Sequence, residues 1–272
     1  MCEKIYIESW EKDFLSNRLV SCKKHVKTDI DNIVCVSRWV MSMKAIDVVV
    51  FWWWEVMTDA RPFPYNGWNY VLWFFPTIYK KNYIICWWIG DPKNMFSPIL
   101  HKIFLWRAKQ IILREETSHQ RALVFNSESI LHHDFCYSVL AWITPLCVQD
   151  KPYILINANT YLWNSDVVEK IKEAVVEHPT CDVFFFPAAW ESDDKLFSEL
   201  EIIVPWITLL DRRDMSLDES VWWIAGADHV CAARLHVLLV AQYFGVLFSP
   251  FVYQEKIEKC VLRAEHAELV SK

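Results

Sequence analysis

The sequence predicts an α/β protein built on a doubly wound, mostly parallel mixed sheet with helices on both faces. Three observations carry this. Short apolar segments alternate along the chain with longer amphipathic ones. The segment Tyr153–Ile156 is short and wholly apolar, as a strand covered on both faces requires. A strand, a helix and a second strand follow one another at the start within about thirty residues, the length of one βαβ unit.

Taken in order, Lys4–Glu8 reads as the first strand. From Asp13 to Lys27, Leu15, Leu19, Cys22 and Val26 recur on one helical stripe, leaving Lys12, Lys23, Lys24 and Lys27 to solvent. Ile33–Val36 is the second strand, and the βαβ order makes the pair parallel. Asp47–Trp54 and Tyr83–Trp88 read as strands around the loop Arg61-Pro62-Phe63-Pro64-Tyr65-Asn66-Gly67, and the stretch near 39–106 reads as an aromatic-rich insertion packed on the sheet. Gln110–Arg114 is a strand and Gln120–Leu131 a helix. After Tyr153–Ile156, Asn164-Ser165-Asp166 supplies cap residues, Glu169 follows Asp166 by three, and Pro179 stops the helix. Val167, Val168, Ile171, Ala174 and Val175 form its buried face. Cys181–Phe186 is a strand, Asp228 to about Ala241 a helix, and Val246–Phe248 the last strand.

The length suits a single domain over 1–272, in two halves of about 1–130 and about 131–272. Apolar residues make up 54% of the chain, enough for a large core. The net charge of −6 argues against a general affinity for nucleic acid or anionic lipid. Nine cysteines, an odd number with no C-x-x-C pair, indicate a reduced, cytoplasmic chain without a zinc module. The start carries no signal-peptide pattern, and the apolar runs Val48–Trp54 and Val71–Pro76 are too short to span a bilayer. The Trp-rich stretch nonetheless offers a surface for peripheral contact with a membrane or an acceptor. Only four glycines occur beside sixteen tryptophans. Glycine serves close backbone approach to phosphates, so this chain must build such loops from other residues. The bias points to a heavily diverged or resampled sequence.

Four segments in order resemble the inverting nucleotide-sugar glycosyltransferases of the GT-A fold. They are Lys4–Trp10 with Asp31–Val36; Arg114–Asn126; Tyr153–Thr160 with its helix, Pro179 and Cys181-Asp182-Val183; and Leu217-Asp218-Glu219, Gly226-Ala227-Asp228, Arg234-Leu235 and Phe248-Ser249-Pro250. The resemblance covers roughly 4–37 and 110–255. It implies a GT-A-like (Rossmann-like) sheet and transfer of a sugar from a nucleotide-diphosphate sugar to an acceptor hydroxyl, with inversion. The departures are Asn157 and Asn159 for two aspartates, Gln120 and Phe125 for a glycine and an arginine, Ala227 for a glutamate, and Ser37 with Arg38 for acidic residues that read the nucleoside.

By that resemblance, Asn157 and Asn159 hold the diphosphate, with Mn²⁺ or Mg²⁺ bound weakly because asparagine brings no charge. The same two residues also read as a strand end starting a turn. Asp228 is the general base, its ionised form favoured at a helix N-terminus; it reads equally as a plain N-cap. Trp10 stacks on the base, Ser9 and Ser37 lie near the nucleoside, and Arg114 and Arg121 meet the diphosphate. Trp222 and Trp223 form a platform for the acceptor, though adjacent aromatics are as often one core and one surface ring. His132-His133-Asp134 are consecutive residues, too close in sequence to converge readily on one metal. Two other readings stay open: a catalytically silent binding domain of this fold, and a scaffold without activity.

Overall fold

The computed structural model describes residues 5–8, 33–36, 48–57, 80, 82–89, 97–158, 165–187, 190–211, 215–252 and 257. The chain divides into two compact units, Met1–Asp134 and Phe135–Lys272. Every strand pairing among the described residues is parallel.

In unit 1, β1 (Ile5–Glu8) lies beside β2 (Ile33–Val36), with Ile5 opposite Ile33. A second sheet runs in the order β3 (Val48–Met57), β4 (Asn82–Ile89), β5 (Gln110–Leu113), β6 (Ser129–Leu131). Helix α1 (Ser97–Arg107) connects β4 to β5, and α2 (Glu116–Leu123) connects β5 to β6. Tyr83, Ile85, Phe104, Leu105, Ile111, Leu113 and Ala122 form the core. The Asn126 amide donates to the carbonyls of Leu105 (2.9 Å) and Ala108 (2.8 Å), tying the turn before β6 to the end of α1.

Two expectations change here. The strands at 48–57 and 82–89 are members of this sheet, not an insertion lying on it; their β-branched and aromatic runs suit a pleated surface. The helix expected over Gln120–Leu131 is α2 followed by β6, because the Asn126 side chain closes the turn and Ser129 starts a strand. The helix expected over 13–27 lies outside the described residues.

In unit 2 the elements are α3 (Cys136–Leu140), β7 (Tyr153–Asn157), α4 (Ser165–Glu177), β8 (Asp182–Phe185), α5 (Trp190–Ile203), β9 (Thr208–Leu209), α6 (Leu217–Ala225), β10 (His229–Ala232), α7 (Leu235–Tyr243) and β11 (Leu247–Pro250). The sheet order is β11-β10-β7-β8-β9. Side chains alternate across β7. Tyr153 and Leu155 enter a core with α6 and α7, while Ile154 and Ile156 enter one with α4 and α5. The sheet is therefore covered on both faces, and its central strand is buried throughout.

The helix expected from Asp228 is instead β10 and then α7, broken at Ala233 and Arg234. Helix α6 begins with a capping box, the Ser216 hydroxyl accepting from the Glu219 amide (3.2 Å) and the Glu219 carboxylate from the Ser216 amide (2.7 Å). At its other end Gly226 packs so close to Tyr153 that a Cβ would lie 2.9 Å from the phenol oxygen.

At the amino edge of this sheet the His229 ring stands 5.1 Å from that of His178, with Nε2 2.8 Å from the Ser249 hydroxyl. Burial, then the neighbouring His178, lowers the His229 pKa, with Glu177 opposing. The fold thus favours neutral His229, and the unfolded chain takes the proton first as pH falls. Stability from this group is complete above the ordinary value near 6.5 and declines as pH drops through the lowered one. Thermal unfolding across this range should show a falling midpoint, and His178→Gln should make the fall shallower.

Candidate functional site at the carboxyl end of the unit 2 sheet

From β7 the chain winds outward to β8 and β9, then returns by α6 to place β10 on the other side of β7. This reversal makes the carboxyl ends of β7 and β10 the switch point, where doubly wound sheets receive ligands.

Asn157 ends β7 and is fully buried. Its Nδ2 donates to the Phe186 carbonyl just past β8 (2.8 Å), and its Oδ1 accepts from the Arg234 amide just past β10 (3.1 Å). Its own carbonyl accepts from the Ala233 amide (2.8 Å). One side chain thereby joins the ends of three neighbouring strands. Arg234, extended at the N-cap of α7, sends Nη2 to Oδ1 of the fully buried Asp193 in α5 (3.1 Å). This ion pair links the segment past β10 to α5, the helix that follows β8. The Arg234 side chain keeps 28% of its surface exposed, and its buried Nε has no hydrogen-bond partner among the described residues. A guanidinium has five donors in a planar fork. This one holds a buried carboxylate and keeps donor capacity for a second oxyanion.

The residues present do not fit a metal at Asn157. Both polar atoms of its side chain are bonded to the main chain, and it carries no charge to hold a hard cation. Among the described residues no group of three or more His, Cys, Asp or Glu could hold a metal ion. Ser9, Trp10, Ser37 and Asn159 lie outside the described residues.

Asp228 stands at the other end of the sheet. Its carboxylate accepts from the Tyr153 amide (2.9 Å), and its own amide donates to the Tyr153 carbonyl (2.9 Å). Tyr153 and Asn157 open and close β7, about 13 Å apart at strand spacing. Asp228 and Asn157, given as base and diphosphate holder by the resemblance, therefore do not meet at one end of the sheet: β7 separates them. Nor does Asp228 precede a helix: it follows the C-terminus of α6 and leads into β10. Trp222 and Trp223 pack against the core on the α6 face. Trp222 donates to the Thr144 carbonyl (3.0 Å), and the Trp223 ring lies 5.4 Å from that of Tyr153 and 5.0 Å from that of Phe184. The platform expected of them is thus spent in packing.

In unit 1, Arg114 follows β5 and bonds Asp134, beyond β6, at 2.7 Å with both side chains largely buried. The expected diphosphate contact there gives way to an ion pair. Arg121 lies in the last turn of α2, partly buried. A cavity of about 370 Å³ opens at the amino ends of β5 and β6, lined by Lys109, Gln110, Glu128 and Ser129 among others. That is the end of a parallel sheet opposite to the one ligands favour.

The sequence reading passed over Asp193, which no motif marks, and gave Arg234 no role although Arg234-Leu235 belonged to the resemblance. The missing signal was that a residue just past a strand at the switch point faces any ligand.

The sequence matches no protein-family model, and no curated protein matches it in sequence. The fold is similar to that of solved nucleotide-sugar enzymes. UDP-GlcNAc 2-epimerase from Neisseria meningitidis bound to UDP-GlcNAc matches with a TM-score of 0.65 at 12% identity, over 95% of this chain and 77% of that one. UDP-GlcNAc 2-epimerase from Methanocaldococcus jannaschii gives 0.57 at 12%, over 97% and 91%. A glycosyltransferase from Rickettsia africae gives 0.51 at 11%, over 92% and 79%. These identities establish likeness of fold. The fold is α/β and Rossmann-like, with parallel sheets and helices on both faces; these neighbours are GT-B-like, and the finer GT-A assignment implied by the resemblance is not supported.

Asn157→Asp tests the clamp. A carboxylate cannot donate to the Phe186 carbonyl and would bring a charge into a buried site. Unfolding free energy should fall by about 3 kcal/mol, as read by denaturant titration, with no Mn²⁺ binding gained by calorimetry.

Proposed function

We propose that this chain binds a nucleotide-diphosphate sugar and transfers the sugar to an acceptor hydroxyl. The diphosphate is received by Arg234 at the carboxyl end of the unit 2 sheet. The observation carrying this is the Arg234 guanidinium, just past β10 and held by Asp193, with a buried Nε that has no partner among the described residues. A buried donor favours an acceptor strongly, and phosphate oxygens match the fork. The fold likeness to an epimerase solved with UDP-GlcNAc supports the same reading and makes a uridine diphosphate sugar the first donor to try. In this reading Arg234 offsets charge on the leaving diphosphate, while Asn157 fixes the backbone from which Arg234 projects. Inversion at the sugar requires a base on the acceptor side, and Asp228 at the amino edge is not that base.

Calorimetric titration with UDP-GlcNAc should give saturable binding. Arg234→Lys keeps the charge but loses the planar fork, and should weaken binding about tenfold with the thermal midpoint monitored in parallel. Wild-type protein that binds no nucleotide sugar would refute the proposal.

A second reading is a binding domain without turnover, favoured by the structural use of the Asp228 carboxylate. Donor hydrolysis decides between them, since binding without acceptor-dependent turnover supports the silent domain. Asp228→Asn should leave any turnover unchanged and alter stability little, because the carboxamide oxygen still accepts from the Tyr153 amide. Loss of turnover in a folded Asp228→Asn would restore the aspartate as base.

A further inference from the structure

We propose that helix α1 docks this protein on an anionic phospholipid surface. Its inner face is fixed to the unit 1 core by Phe104 and Leu105, with His101 also buried. At about 100° per residue, the opposite face carries Ile99, Ile103 and Trp106 within an arc of about 60°. Those three side chains are 58%, 40% and 72% exposed. The helix is thus apolar on two opposite faces, whereas a surface helix needs only one.

Charge complementarity names the occupant. Lys102 and Arg107, both exposed, lie about 40° outside the stripe on either side. Exposed Lys109 follows the helix. From Pro92 to Leu113 the sequence holds Lys93, Lys102, Arg107 and Lys109 and no Asp or Glu, although the whole chain has a net charge of −6. A tryptophan and two isoleucines between long basic side chains form the pattern of a helix lying in the headgroup layer. There the rings enter the interface and the cations meet lipid phosphates. Among the described residues no helix is long and apolar enough to cross a membrane, so the contact proposed is peripheral. It does not depend on the nucleotide-sugar reading.

The test is co-sedimentation of the full chain with vesicles of phosphatidylcholine alone, and of phosphatidylcholine mixed equally with phosphatidylglycerol. Wild type should pellet with the mixed vesicles, much less with the neutral ones, and should be released by high salt. Trp106→Ser with Ile103→Ser, and separately Lys102→Glu with Arg107→Glu, should each cut the bound fraction about tenfold. Circular dichroism should show an unchanged fold, since these side chains are exposed. Wild type that stays in solution with anionic vesicles overturns the proposal, as do folded variants that pellet equally. Light scattering that shows a dimer dispersed by Trp106→Ser assigns the stripe to a second copy and overturns it as well.

Discussion

The carboxamide of Asn157 acts as donor and acceptor at once, and the carboxyl end of the unit 2 sheet depends on that. Its nitrogen reaches the main chain past β8 and its oxygen the main chain past β10, on the two sides of the strand it terminates. An aspartate has no proton to give when ionised, and a leucine of similar size has neither function. With the Arg234 amide fixed by this clamp, α7 starts at a set point and the guanidinium spans to Asp193. A buried carboxylate is costly unless paired and hydrogen-bonded, so the ion pair and the clamp support each other: loss of either partner leaves an uncompensated polar group at the junction of three strands.

The parts of the fold legible in the sequence are those where one local signal stands alone. Tyr153–Ile156 is short, apolar and bounded by polar residues; the helix after it has caps, an apolar stripe and a proline stop. Both were found with small boundary errors. Where two apolar elements meet without Gly or Pro, the pattern merges. His229 through Ala241 reads as one helix because the four residues of β10 and the largely apolar α7 adjoin across only Ala233 and Arg234. Asn157 was legible as a position, at the tip of a central strand, but not as a clamp, since its partners lie 29 and 77 residues away. Asp193 pairs with Arg234 across 41 residues, and nothing short of the strand order brings them together.

The two ends of this sheet carry different chemistry for a topological reason. At the carboxyl end the side chains past the strands meet one another: Asn157 bonds the main chain past β8 and β10, and Arg234 bonds Asp193. At the amino end Asp228 is consumed in pairing with Tyr153, Trp223 packs on the same ring, and burial with nearby charge pushes the Tyr153 phenol pKa well up. The Tyr153 hydroxyl therefore stays protonated and donates to the Trp223 carbonyl (2.8 Å). That edge fixes the register of β7 against β10 and leaves little unspent for a ligand.

The scarcity of glycine bears on how such a fold can hold a phosphate. Rossmann-like sheets commonly do so with backbone amides of a glycine-rich turn, where the absent Cβ lets the main chain approach the anion. Here both glycines among the described residues end helices. Gly226 closes α6 against Tyr153, and Gly245, at φ +72°, ends the turn after α7. None follows a strand of unit 2. In the proposed site anion recognition falls to a side chain, and arginine suits it because its charge persists at any working pH and its donors are coplanar. A side chain is less fixed than a backbone cradle, which makes the orientation of Arg234 by Asp193 a requirement of the site. In the proposed site the buried acid would do for this guanidinium what a glycine turn does for a row of amides, setting the donors in place before a ligand arrives.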